Sequence, residues 1–169
     1  MDAYEAVVSR VEVREFSKNE VPFELQKKVL EAARQAPSAY NKQAWHFILI
    51  NNKELLRKIG ELAQTGRYIS DSAFAVAVCI DPNYPQYIID SARCIQGIMI
   101  AAWGLGLGSC WVGMLDRERI SELLRIPKEF RIISVIPFGY PSKKIRGKKS
   151  RRQLKDVASI NFYGENKGL

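Results

Sequence analysis

Apolar residues recur along this chain in two periods, and the places where the period changes mark its elements. Spacings of three and four at Ala3, Ala6 and Val7 predict a helix over residues 2–9. A second helix opens with Pro22 in its first turn and runs through Leu25, Val29, Leu30 and Ala33 to Gln35, where Pro37 and Ser38 stop it. His46 to Ile50 is an apolar run too short for a helix and predicts a strand, followed by a turn at Asn51 and Asn52 and a helix across Leu55, Leu56, Ile59 and Leu62. Phe74 to Ile80 reads as a strand buried on both faces, Pro85 to Trp103 as a long helix sequestered in the core, and Cys110 to Met114 as another strand. Asp116 is placed to cap a helix ending near Arg125, and Ile132 to Phe138 predicts a further core strand. Strands alternating with helices imply a layered α/β arrangement, the sheet covered on both sides, in a single domain over residues 1–169.

From Cys94 to Leu115 the chain has 22 residues without a formal charge, long enough to cross a bilayer. Gly104, Gly106 and Gly108 alternate in that stretch and would break a spanning helix, so it reads as a buried helix, a tight turn and a buried strand, and no transmembrane segment is expected. The same glycines invite comparison with a dinucleotide fingerprint. That fingerprint needs a strand before it and a helix after it, so that a pyrophosphate meets a helix N-terminus; here the order is reversed, and a Rossmann site is excluded.

Composition narrows the chemistry. With 47% hydrophobic and 26% charged residues over 169 positions, the chain is an ordinary globular protein that needs no metal or disulfide to fold. Cys79, Cys94 and Cys110 are odd in number and widely spaced, and MDAYEAVVSR lacks the basic and apolar runs of a secretory signal, so a cytoplasmic location is expected. His46 is the sole histidine, which leaves too few ligands for an imidazole-based metal centre and argues against a hydrolytic triad.

The net charge of +8 lies in one place: Lys143, Lys144, Arg146, Lys148, Lys149, Arg151, Arg152 and Lys155 have no acid among them. Such a run binds an anion or is a solvated tail. Arg10 and Arg14, four apart where the first helix ends, could converge on a phosphate through their forked guanidiniums, or could pair with Glu12 and Glu15. The segment from Ala36 to Trp45 (APSAYNKQAW) combines a helix stop with small hydroxyl and amide donors beside an aromatic ring, and could either line a flat heteroaromatic ligand or merely connect two elements.

Three segments in order, Arg10 to Phe16 (RVEVREF), Ala32 to Trp45 (AARQAPSAYNKQAW) and Leu105 to Gly113 (LGLGSCWVG), resemble the nitroreductase family of FMN-dependent oxidoreductases, and the resemblance runs from about residue 3 to 164. It implies an α+β fold with a central mixed sheet of four to five strands flanked by helices. It also implies a homodimer with flavin at the subunit interface and residues 141–169 as a basic C-terminal arm exchanged between subunits. By the same resemblance, Arg10, Val11, Glu12 and Arg14 match phosphate and ribityl contacts, and Lys149 and Arg151 match a basic pair completing the phosphate site. Pro37, Ser38, Ala39 and Asn41 match a loop reaching the flavin ring bound mainly by the other subunit. Trp111, Val112 and Gly113 match the strand end beside the flavin N5 edge, and Gln64 a further polar contact. Glu12 stands where the family commonly has serine, so its backbone is the expected contributor, and Ala44 replaces the usual proline before tryptophan.

The implied activity takes hydride from NAD(P)H and reduces a nitroaromatic, quinone or related small-molecule acceptor by a ping-pong mechanism, with the cofactor making the bonds and no side chain acting as catalyst. Two other readings remain at this level: an α/β domain binding nucleic acid through its basic arm, and a protein that holds FMN without turnover.

Overall fold

Alternate side chains of the most apolar run enter two different cores. In the computed structural model, which describes residues 1–143 and 149–168, strand β2 (Phe74–Ile80) is buried along its whole length. Phe74, Val76 and Val78 face one core, shared with helices α2 (Phe23–Arg34) and α4 (Tyr87–Gly104), whereas Ala75, Ala77 and Cys79 face the other, shared with helix α3 (Lys53–Glu61) and Ile120 of α5 (Arg117–Leu123). A pleated strand sends successive side chains to opposite faces, so a run with no polar position requires cover on both sides.

The sheet has the order β1-β2-β4-β3, with β1 at Trp45–Ile50, β3 at Gly108–Ser109 and β4 at Arg131–Gly139. All three strand pairings are antiparallel rather than mixed as expected; parallel geometry occurs at an isolated bridge between Glu12 and Ser109. The expected strand at Cys110 to Met114 is also corrected: pairing with β4 stops at Ser109, and the next residues leave the sheet edge. Apolarity there reflects burial of Cys110 and Val112, which needs no ladder.

Local chemistry sets the helix ends. Helix α1 (Ala3–Ser9) opens with a capping box in which Asp2 accepts from the Glu5 amide at 2.8 Å and Glu5 accepts from the Asp2 amide at 3.2 Å. Asn52 and Asp116 cap α3 and α5 without the reciprocal bond, accepting from the amides of Leu55 and Arg119. Pro22 caps α2 rather than lying inside it, and α4 starts at Tyr87, two residues after Pro85. Gly106 takes φ +81° after α4, and the Leu107 amide closes back on Ala102 O at 2.8 Å, so the glycines end a helix. Gly108 has a different reason: a Cβ there would sit 2.6 Å from Val13, so its absence lets the segment after α1 lie on β3, where the Val13 amide donates to Ser109 O at 2.9 Å.

Lys144, Arg146 and Lys148 of the basic run lie outside the described residues. Beyond them, Leu154, Val157, Phe162 and Tyr163 of the arm are exposed in the single chain. Among the described residues no helix is long and apolar enough to cross a membrane.

All three cysteines are unpaired and buried, and burial pushes the Cys79 and Cys94 thiols up to about 12. At pH 8 only about one such thiol in ten thousand is ionised, so the native protein should show no rapidly reacting thiol towards an aromatic disulfide and three after denaturation. Fast native labelling of Cys79 or Cys94 would contradict the packing described here.

Candidate functional site

Arg10 follows directly on α1, and its side chain is almost enclosed, at 12% exposure. Nη2 pairs with Glu12 Oε1 at 2.8 Å, while Nη1 is buried without any partner among the described residues. A buried charged donor left unmatched costs roughly 1–3 kcal/mol or more, so the arrangement calls for an acceptor from outside the chain. Lys149 reaches the same place from the far end of the sequence, its Nζ donating to Val7 O at 2.5 Å. Its ammonium is held below the ordinary lysine value, first by burial and then by repulsion from Arg10 and Arg151. Three cations from both ends of the chain therefore crowd together, and an anion would relieve that repulsion. Arg151 is exposed and donates to the adjacent Ser150 O at 2.7 Å. A phosphate group, with several acceptor oxygens and negative charge, fits both the orphaned nitrogen and the crowded cations.

The surface pairing considered for both arginines occurs only for Arg10. Glu15 pairs instead with Lys143 at 2.9 Å, and Arg14 lies beside Cys110 and Tyr68. Tyr68 donates its hydroxyl to Cys110 Sγ at 3.1 Å, and burial followed by that bond holds the phenol protonated. Burial likewise raises the Cys110 thiol, so it is not poised as a thiolate. Glu12 acts through its side chain as well as its backbone: Oε2 accepts from the Trp111 amide at 3.1 Å, so one carboxylate joins Arg10 to the segment after β3.

That segment is held by two side chains and one backbone amide in place of a continuous ladder. Val112 O accepts from Ser134 Oγ at 2.7 Å, Gly113 O from Arg117 Nη2 at 3.0 Å, and Met114 O from the Gln64 amide at 3.0 Å. The amides of Val112, Gly113 and Met114 have no acceptor among the described residues. A consecutive row of free donors next to Arg10 suits the acceptor edge of a flat polar ligand. Trp111 is exposed alongside, and Gln64 is brought to this edge through its backbone.

The loop from Pro37 to Asn41 lies elsewhere. Its Ala39 amide donates to Asp90 Oδ2 at 3.1 Å and Ala39 O accepts from the Tyr84 hydroxyl at 2.9 Å, which anchors it to the start of α4. Tyr40, Asn41 and Gln43 all have positive φ, a left-handed backbone that side-chain-bearing residues seldom adopt. Arg10 sits at the opposite end of the helix, next to Ser9, whose Oγ accepts from Trp103 Nε1 at 2.8 Å. Asp90 and Trp103 are separated by about 20 Å of helix rise. Within one chain, then, Arg10, Val11, Glu12, Arg14, Gln64, Trp111, Val112, Gly113, Lys149 and Arg151 form one neighbourhood, and Pro37, Ser38, Ala39 and Asn41 another.

Sequence reasoning missed Tyr68, Asp90, Arg117 and Ser134. Two carried a visible signal: Asp90 and Ser134 are polar residues inside apolar segments, and both are buried, at 1% and 0% exposure.

Comparison with known proteins adds the following. The model of the nitroreductase family matches residues 7–78 and 81–140. A protein of Methanothermobacter thermautotrophicus assigned the name NADH dehydrogenase/NAD(P)H nitroreductase is 39% identical over 151 residues, covering 85% of this chain and 79% of its own. The FMN reductase (NADPH) of Bacillus subtilis is 23% identical over 186 residues, covering 96% of this chain and 74% of its own. Among solved structures, a nitroreductase family protein of Clostridium difficile superposes with a TM-score of 0.85 at 28% identity, over 96% of this chain and 99% of that one.

Proposed function

Because the chain belongs to the nitroreductase family, we propose that it is an FMN-dependent NAD(P)H oxidoreductase, working as a homodimer whose flavins lie between the subunits. The observation carrying this reading is Arg10 Nη1, buried and without a partner among the described residues, beside Lys149 and Arg151, a cradle for the FMN phosphate built from both ends of the polypeptide. Arg14 extends the positive edge, and the Val112 to Met114 amides supply donors to the ring. Bound FMN supplies a ring that takes hydride from NAD(P)H and passes electrons to a nitroaromatic, quinone or related acceptor in alternating, ping-pong fashion. The chain's own residues bind, orient and polarise that ring; none needs to act as acid, base or nucleophile.

Distances within the single chain support the dimer. The Pro37 to Asn41 loop is a helix length from the phosphate cradle of its own chain, so it serves the ring bound by the other subunit. Apolar residues support such an interface: Val7 and Val8 on α1, Ile88 and Ile89 on α4, and Leu154, Val157 and Phe162 on the arm are all exposed in the single chain. In this reading residues 1–169 form one flavin-binding domain, the arm from residue 141 crosses to the partner, and the enzyme works in the cytoplasm.

The test combines a visible spectrum, sedimentation and turnover on the purified chain. Expected are flavin absorbance at one FMN per chain, a dimer whose flavin is lost on dissociation, and NAD(P)H oxidation that gives parallel double-reciprocal lines with a quinone or nitroaromatic. A colourless protein that does not take up added FMN would refute the reading, and a flavin-loaded monomer would refute the shared site.

A further inference from the structure

The backbone between Trp111 and Met114 is polarised. Its carbonyls at Val112, Gly113 and Met114 face donors of the protein, whereas the amides of the same three residues face none among those described. Ser134 contributes from β4, where it is the polar position in an otherwise apolar buried stretch, and its Oγ lies 2.7 Å from Val112 O. Arg117 contributes from the first turn of α5, with Nη2 reaching Gly113 O at 3.0 Å and Ile133 O at 3.2 Å while Nε reaches Ile132 O at 3.2 Å. This last pair of acceptors exists because the β2-β4 register slips between Val78 and Cys79: Val78 faces Ser134 and Cys79 faces Ile132, which leaves Ile133 out of the pairing. The bulge thus turns two carbonyls towards Arg117.

We propose that Ser134 and Arg117 are positioning residues for electron transfer. By holding the Val112 and Gly113 carbonyls inside the protein, they keep N–H groups rather than C=O groups turned to the flavin edge. The proposal rests on the FMN reading given above. Its physical basis is the symmetry of the peptide group. A peptide outside a ladder can rotate so that its oxygen replaces its N–H, and a hydrogen bond to the carbonyl opposes that rotation. The resemblance sets this segment beside N5, where an N–H row suits the oxidised ring, whose nitrogen accepts, whereas hydride uptake puts a hydrogen there that opposes a donor and that a carbonyl in the same place would accept. Oxidised FMN would therefore feel the change more than the reduced form, while the phosphate cradle serves both alike.

The experiment compares full-length wild type with Ser134→Ala, Ser134→Thr and Arg117→Met. Two quantities are measured: affinity for oxidised FMN by fluorescence titration, and the midpoint potential of the bound flavin by spectroelectrochemistry. Ser134→Ala should keep affinity for the reduced form within about twofold and weaken binding of oxidised FMN about tenfold. For a two-electron couple that ratio raises the potential by about 30 mV. Arg117→Met should move it in the same direction, and Ser134→Thr, which keeps the hydroxyl, should return it to the wild-type value. Unchanged potentials in Ser134→Ala and Arg117→Met, with FMN bound, would overturn the positioning role alone. If Ser134→Ala does not fold, Arg117→Met carries the test, because its side chain lies at the surface edge and only half buried. A wild-type chain unable to bind FMN would overturn both this proposal and the reading beneath it.

Discussion

Replacing Arg10 with alanine should weaken FMN binding by about a hundredfold, the largest loss expected from any single change at the site. The estimate follows from two charge-assisted hydrogen bonds at about 1.5 kcal/mol each, near 3 kcal/mol in total. One of those bonds is open to a ligand, since Nη1 has no partner among the described residues; the other is shared with Glu12. Fluorescence titration of apoprotein with FMN reads the effect directly. Glu12→Gln should behave oppositely to Arg10→Ala, because a neutral amide competes less for Arg10 and removes a negative charge from the phosphate's surroundings. It still offers an oxygen to the Trp111 amide. Tighter or unchanged FMN binding in Arg10→Ala would show that the phosphate lies elsewhere.

The second large effect belongs to the scaffold. Phe74 and Phe138 face each other across β2 and β4, both fully buried, with ring centroids 5.1 Å apart and planes 15° from parallel. Phe138→Ala should cost about 3–5 kcal/mol, because the lost transfer energy is joined by a cavity between the sheet and the helices packed on it. Against a typical total of about 5–15 kcal/mol, and at roughly 2–4 °C per kcal/mol for a chain of this size, the melting temperature should fall by about 10 °C or more. Calorimetry on the flavin-free protein separates this from ligand effects. Phe138 also pairs with Ser109, the residue that receives the Val13 amide, so flavin affinity should fall with stability. A change below about 1 kcal/mol would mean that the strands close around the gap.

The elements themselves were largely legible from their own residues. FAVAVCI has no polar position and lies inside on both faces; Asp116 and Asn52 cap the helices they precede; Gly106 ends α4. Each of these is decided within a few residues, by side-chain period, a capping oxygen or a permitted φ. Where expectation and structure part, a distant partner is responsible. Cys110 to Met114 has the composition of a strand, yet its hydrogen bonds go to Glu12, Ser134, Arg117 and the backbone of Gln64, none adjacent in sequence. The antiparallel sheet likewise depends on how the strands meet, which apolar patterning does not encode.

The site divides in the same manner. Arginine spacing and the basic run suggested an anion, but could not distinguish a solvated tail from a binding arm, because a charge pattern is the same in both. What bears on that choice is Lys149 beside Val7, and Arg10 with one nitrogen enclosed and unmatched among the described residues. The sequence alone therefore determined most of the helices and three of the four strands, and that both faces of the sheet are covered, since these follow from short-range periodicity. Only the tertiary structure decided which cations share a cradle and which amides stand free. Those facts depend on groups from remote parts of the chain arriving at the same few ångströms.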